Sequence, residues 1–291
     1  MNGDKYDRHA QDVGNILSLE HCNVRIPDQI AATNFYVSGL GLTRDPYLMV
    51  GTENMWINIG ERSQIHMPTG NPQVFPGHIG LVTPDLDALA ARLASVREKL
   101  AGTKFSYERK PDHVVATCPW GNRFWLHAPA PEFGETTLGM PYVEFPVRRG
   151  DADGIARFYR EIMDAPATVS GNGAGAVTRV QVGWHQTLVF REVEGELTPY
   201  DGHHVAVYVA DFGGSHKRLL DRGLVSQESN EVQYRFVDIV DPATGRKLFQ
   251  IEHEVRSASH PMYLRPLVNR NPSQRQATYQ KGRDAFTPGM A

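Results

Sequence analysis

Hydrophobic and polar positions alternate with a period of two in four short stretches of this chain, and each stretch gives way to a segment whose apolar residues return at helical spacing. The stretches read His21-Cys-Asn-Val-Arg-Ile-Pro-Asp28, His78-Ile-Gly-Leu-Val-Thr-Pro-Asp85, Tyr142-Val-Glu-Phe-Pro-Val147 and His204-Val-Ala-Val-Tyr-Val-Ala-Asp211. In the last, Val205, Val207 and Val209 share one face while His204, Ala206 and Tyr208 share the other. One side of each strand is therefore expected to pack on a helix layer and the other to face away from it. Copies one and three continue into helices carrying Phe35-Tyr36 and Phe158-Tyr159, whereas copies two and four continue into leucine-rich helices around Leu86–Leu93 and Leu219–Leu220. The duplicated unit is thus a pair, with like heads 121 residues apart (His21 to Tyr142) and 126 apart (His78 to His204).

The spacing predicts a first helix over Gln29–Val37, closed by the glycines of Gly39-Leu-Gly-Leu42, and a counterpart over Asp153–Met163. Short strands divided by turn residues follow, as in Met55–Ile59, Gly60-Glu-Arg and Gln64–Met67. Each repeat reads strand, helix, three strands. In chain order this divides into an N-terminal extension (1–17), a two-module domain (18–130), a linker (131–140), a second two-module domain (141–255) and a tail (256–291) expected to run as an extended strap. Two ordinary cores fit the length better than one. Aligned by turns and alternation, His66, His127 and Glu252 take equivalent inward positions on the last strands of three repeats.

Composition narrows the function. Hydrophobic residues make up 41% of 291, the formal net charge is −3, and basic residues are scattered, which argues against a nucleic-acid partner. No apolar run has the length of a membrane span and the N-terminus has no apolar signal core, so a cytoplasmic protein that does not engage a membrane is expected. Two cysteines are too few for a disulfide scaffold, and Cys22 reads as a packing residue. The run Gly171-Asn-Gly-Ala-Gly-Ala176 lacks the strand-loop-helix setting of a phosphate loop and reads as a turn.

The strand heads His-x-x-Val-x-Ile-Pro-Asp and His-Ile-Gly-Leu-Val-x-Pro-Asp-Leu-Asp, the Phe-Tyr helices and the turns Pro119-Trp-Gly-Asn-Arg123 and Asp241-Pro-Ala-Thr-Gly245 resemble those of the vicinal oxygen chelate superfamily. That superfamily includes glyoxalase I, the bleomycin and fosfomycin resistance proteins and the extradiol dioxygenases. The resemblance spans about residues 18 to 255 and implies an α+β fold of four βαβββ modules paired into two incomplete β-barrel domains. It also implies a divalent metal held by His and Glu on the first and last strands of paired modules, in the C-terminal barrel if the chain follows the two-barrel dioxygenases. The chain departs from the pattern: Trp125 and Phe249 or Gln250 stand where the family has its glutamate, and Tyr142 replaces a head histidine.

Three inward residues of the C-terminal half, Glu144, His204 and Glu252, form the first candidate metal set, with Glu254 able to replace Glu252 if a bulge shifts the strand. One imidazole and two carboxylates suit Fe(II), which the dioxygenase resemblance favours, as well as Mn(II), Ni(II) or Zn(II). The competing reading is a barrel that has lost its metal and binds an organic ligand by hydrogen bonds. A second set, His21, His66, His78 and His127, occupies the N-terminal half, where Trp125 argues for a filled interior. Tyr208 and Tyr234 are candidates to orient a substrate. The expected partner is a small molecule with two neighbouring oxygens, catechol-like or enolisable, and a homo-oligomer is compatible with the sequence. Oxidative ring cleavage is the leading reaction; sequestration of a small molecule and glyoxalase-like lyase or isomerase chemistry are the alternatives.

Overall fold

Each module opens with a strand that buries one apolar face, and the chain turns into a helix where an aspartate accepts the free N–H groups of the first turn. Asp28 accepts from Ile30 and Ala31, Asp85 from Asp87 and Ala88, and Asp211 from Gly214. In the third copy Asp151 makes no such cap, and Glu192 takes the Ala152 N–H at 2.9 Å instead.

The computed structural model describes residues 6–48, 53–171 and 175–269. Module one comprises β1 (Ile16–Asn23), α1 (Gln29–Ala32), β2 (Thr43–Arg44), β3 (Asn54–Ile59) and β4 (Ser63–Pro68). Module two comprises β5 (His78–Val82), α2 (Leu86–Ser95), β6 (Ser106–Arg109), β7 (His113–Thr117) and β8 (Arg123–His127). Module three holds β9 (Gly139–Arg148), α3 (Ala152–Glu161), β10 (Ala167–Ser170), β11 (Val177–Gln181) and β12 (Thr187–Val193). Module four holds β13 (His204–Val209), α4 (Phe212–Leu220), β14 (Val225–Asn230), β15 (Gln233–Val240) and β16 (Lys247–Ser257). The first predicted helix differs in kind: α1 widens after one turn into a π-helical stretch, Thr33–Gly39, before Gly41 turns the chain at φ 76°.

The four βαβββ modules form two open eight-stranded sheets, each an incomplete barrel as expected. Their partnership differs from chain order. The first sheet runs β14-β15-β16-β13-β1-β4-β3-β2 and the second β10-β11-β12-β9-β5-β8-β7-β6. β1 pairs antiparallel with β13, and β5 with β9, so modules one and four share one sheet while modules two and three share the other. The expected barrels joined modules one and two (18–130) and modules three and four (141–255), whereas the strand pairing joins one with four and two with three. The head strands of all modules carry the same alternation, so the pattern is satisfied whichever heads meet.

The helices and the apolar faces of both sheets build a single cluster rather than two cores. Phe35 of module one lies 5.7 Å from Phe124 of module two, and Phe145 of module three lies 5.5 Å from Phe249 of module four. Truncating the fully buried Phe35, Phe124 or Phe145 to alanine should cost about 3–5 kcal/mol. After β16 the chain crosses module one: Arg265 pairs with the buried Asp45 at 2.8 Å, and Asn58 Nδ2 donates to the Val268 carbonyl at 2.9 Å. Pro272 and the rest of the tail beyond residue 269, like 172–174 of the glycine-rich run, lie outside the described residues.

Candidate metal centre

Register explains why one face of the first sheet gathers ionisable groups. The parallel pairing of β13 with β16 sets His204 beside Glu252, Ala206 beside Glu254 and Tyr208 beside Arg256. On the other side β1 sets Asn23 opposite His204 and His21 opposite Ala206, with a register shift between Leu19 and His21. The extra residue at that bulge is Glu20, and its carboxylate meets the ring of its own neighbour, His21 Nδ1, at 2.5 Å. Gln186, from the turn before β12, holds the bulge in place. Its Oε1 accepts from the Leu19 N–H at 3.0 Å, and its Nε2 donates to the Leu19 carbonyl at 2.9 Å and to Ser63 Oγ at 3.0 Å.

His21, His204 and Glu254 are all buried, and one ligating atom from each lies within 4.8 Å of the others. The imidazoles share one arrangement. His21 Nδ1 faces Glu20, and His204 Nδ1 lies 3.3 Å from Glu252 Oε1, so a carboxylate stands behind each ring. That fixes the proton on Nδ1 and leaves the lone pair on Nε2. Both Nε2 atoms are buried and without a hydrogen-bond partner, and His204 Nε2 lies 3.6 Å from Glu254 Oε2. Two orphaned imidazole lone pairs beside one carboxylate oxygen fit a divalent cation. Burial holds His204 well below the usual imidazole range and therefore neutral. Burial alone would raise the Glu20 carboxyl, but His21 and Arg256 outweigh it and hold the group ionised.

Two guanidiniums complete the network. Arg235 bridges Glu252 and Glu254. Arg256 donates to Glu254 Oε1 at 2.6 Å and to Glu20 Oε2 at 2.8 Å. With three carboxylates against two guanidiniums, the site carries an excess negative charge before any cation enters. A cavity of about 220 Å³ lies between this network and the chain after β16, lined by Ser18, Glu20, Gln64, Tyr208, Tyr263 and Leu267 among others.

The structure separates residues that the sequence grouped. Of the set Glu144, His204 and Glu252, His204 is in the centre, Glu252 stands behind its ring, and Glu144 belongs to the second sheet. There Arg191 takes both its oxygens at 2.8 Å. Of His21, His66, His78 and His127, only His21 offers a free nitrogen to this centre. His66 Nδ1 accepts from Asn23 and its Nε2 donates to Asn54, each at 2.6 Å, while its ring stacks on Trp56. Burial, with His21, Arg256 and Arg235 nearby, pushes His66 down to about 2. His78 and His127 lie in the second sheet, where His127 meets the Tyr142 hydroxyl at 2.9 Å. Tyr208 borders the centre, 3.3 Å from Glu20 and 3.4 Å from Arg256, but Tyr234 does not. Its neighbour Arg235 points inward, so the Tyr234 ring lies on the helix side, bonded to Ser215 at 2.8 Å.

Sequence reasoning missed Glu20, because strict alternation sends it to the helix side. A signal existed: apolar Leu19 and Cys22 stand three positions apart, which breaks a period of two and marks a bulge. Glu254 enters through register alone, with no bulge in the β13–β16 pairing.

The second sheet presents a different inner face. Trp125 does not fill an interior; it is 37% exposed and stacks on His78 at 4.2 Å and on His113 at 5.3 Å. The His78 and Trp125 rings, with Tyr142, Glu144 and Arg191, wall a cavity of about 400 Å³.

No protein-family model and no curated protein matches the sequence. Solved structures match in shape. Glyoxalase I from Zea mays has a TM-score of 0.56 at 15% identity, covering 87% of this chain and 95% of that one. A putative dioxygenase from Bacillus subtilis subsp. subtilis str. 168 has a TM-score of 0.56 at 13% identity, covering 84% and 86%. At such identities the likeness is one of fold. No helix among the described residues is long and apolar enough to cross a membrane.

Proposed function

Taking the vicinal oxygen chelate fold of this chain as premise, we propose a metal-dependent enzyme acting on a small molecule through two neighbouring oxygens, with His21, His204 and Glu254 holding a divalent cation. The observation that carries this reading is the pair of buried, unpartnered Nε2 atoms on His21 and His204, two residues that with Glu254 bring ligating atoms within 4.8 Å of one another. When bound, the metal supplies Lewis acidity to the chelating oxygens and, as iron(II), the electrons for dioxygen chemistry.

The chain's own residues supply the rest. Glu20 and Glu252 fix the ring orientations and make the imidazole nitrogens that face the centre more basic. Burial, and then the Glu20 carboxylate, raise the Tyr208 phenol well above its usual range, so it stays a neutral donor at the cavity wall. Burial of the donor set keeps bulk water away, which strengthens every polar contact to a bound substrate. Two histidines and one carboxylate favour Fe(II), and the finer reading is oxidative cleavage of a catechol-like ring; a lyase or isomerase using Zn(II), Ni(II) or Mn(II) on an enolisable substrate is the neighbouring one.

Metal analysis of protein purified without chelator tests the reading. About one divalent ion per chain is expected, restorable after chelation and lost in His204→Ala. No retention of Fe, Mn, Ni or Zn by the native chain would sink it. Oxygen uptake with catechols then separates ring cleavage from oxygen-independent chemistry. One observation favours a second reading, a non-catalytic small-molecule carrier: Arg235 and Arg256 already engage both oxygens of Glu254. That reading predicts ligand binding indifferent to chelators and to Glu254→Gln.

A further inference from the structure

The donor set proposed for a metal already holds a cation belonging to the chain. Arg235 donates one Nη to Glu252 and the other to Glu254, and its Nε is buried without a hydrogen-bond partner. The oxygen it takes on the second carboxylate is Glu254 Oε2, the same oxygen that faces His204 Nε2. Arg256 is placed differently. It grips Glu254 through Oε1 and is tied to Glu20 at 2.8 Å, with a side chain only 6% exposed. Among the described residues the hydrogen bonds of Arg235 go to the two glutamates alone, and its side chain is 21% exposed.

We infer that Arg235 is an internal counter-cation that a divalent metal displaces from Glu254. The inference rests on the metal reading above. Glu254 is buried and Glu252 half-buried, and a charge taken out of water without a counter-ion costs several kcal/mol. The guanidinium removes that penalty and keeps both glutamates in place, so the site is preformed before metal arrives. Entry of metal is then an exchange of cations on Glu254 Oε2, with Arg235 keeping its contact to Glu252. A monovalent ion gains no charge in that exchange, whereas a divalent ion gains one, so the arrangement selects doubly charged cations.

The sign of one mutational effect tests this. Titration calorimetry with Mn(II) and with Zn(II) compares the native chain, Arg235→Gln, Arg235→Lys and Glu254→Gln. Removing the competing charge in Arg235→Gln should tighten divalent binding by about tenfold or more, whereas Arg235→Lys, which keeps the charge, should stay within about threefold of native. Glu254→Gln should bind far more weakly than any of them. Equal or weaker binding by a cooperatively folding Arg235→Gln overturns the inference while leaving the metal site standing. Absence of binding by both the native chain and Arg235→Gln overturns the metal reading and this inference with it. A second measurement needs no variant: on adding Zn(II) to the native protein, the side-chain nitrogen signals of Arg235 should shift while those of Arg256 stay. Unchanged Arg235 signals in a chain that binds zinc overturn the displacement.

Discussion

The two sheets are built from the same module and joined in the same way, head strand against head strand, yet among the described residues only the first assembles a cluster of metal donors on its inner face. In the first, the heads contribute His21 and His204, and a carboxylate stands behind each Nδ1. In the second, the heads contribute His78 and Tyr142, and the one inward glutamate between them is closed by Arg191 in a bidentate pair. Arg235 in the first sheet divides itself between two carboxylates; Arg191 in the second takes both oxygens of one. The contrast shows that inward histidines are not enough. A ligand needs its second nitrogen anchored and its lone pair left over.

The sharpest way to break that comparison is to remove the carboxylate of each sheet. Glu254→Gln should weaken divalent-metal binding by a factor of about a hundred or more, since a charged oxygen donor is lost. Glu144→Gln should leave metal affinity unchanged. Its cost falls on stability, about 1–2 kcal/mol, because Arg191 loses a partner at a half-exposed site. Metal titration of both variants decides the matter: equal losses would mean that the sheets do not differ as described.

A smaller effect comes from the residue that joins the sheets. Gln186 of module three satisfies both backbone groups of Leu19 at the bulge that carries Glu20 and His21. Gln186→Ala should cost about 2 kcal/mol of stability and, by loosening the bulge, about tenfold in metal affinity. Chemical denaturation and metal titration measure the two effects separately. A stability loss with affinity intact would show that the bulge holds its shape without the clamp.

These residues also mark how far the sequence could be read. Alternation and helical spacing are local, so all four modules, the inward placement of His204, His21 and Glu252, and the fold class follow from the chain alone. Which modules share a sheet depends on which edges meet in space, and the alternation in β1, β5, β9 and β13 is indifferent to that choice. Glu144 and His204 consequently looked like neighbours although they lie on different sheets. Tyr234 was misplaced for a local reason: its neighbour Arg235 takes the inward position on β15, opposite Glu254. Glu20 was hidden by a single extra residue.

Acidification probes the second sheet through a single imidazole. Burial, against the pull of Glu144 and with Arg123, His127 and Arg191 nearby, pushes His78 down to about 4 from its ordinary 6.5. Because the folded value is the lower one, the unfolded chain takes up the proton first. Stability should therefore fall as pH drops from 6.5 toward 4, with a slope approaching about 1.4 kcal/mol per pH unit from this group. His78→Gln should remove that slope, measured by urea denaturation across the window; an unchanged slope would place the proton elsewhere.

The smallest expected effects separate the two tyrosines that the sequence treated alike. Tyr234→Phe deletes one buried hydroxyl bonded to Ser215 on the helix side, at a cost of about 1 kcal/mol, and should not touch metal affinity. Tyr208→Phe deletes two long contacts, 3.3 Å to Glu20 and 3.4 Å to Arg256, each too weak to hold either group in place. Its metal affinity should therefore change by no more than about threefold. The difference should appear only with a substrate present, because the Tyr208 ring borders the 220 Å³ cavity and the Tyr234 ring does not. If the Tyr208 hydroxyl orients a chelating oxygen, Tyr208→Phe should weaken binding of a catechol by about fivefold, the value of one neutral hydrogen bond, while Tyr234→Phe binds it as the native chain does. Equal catechol binding by native protein and both variants would take Tyr208 out of substrate recognition and leave the cavity wall with a packing role alone.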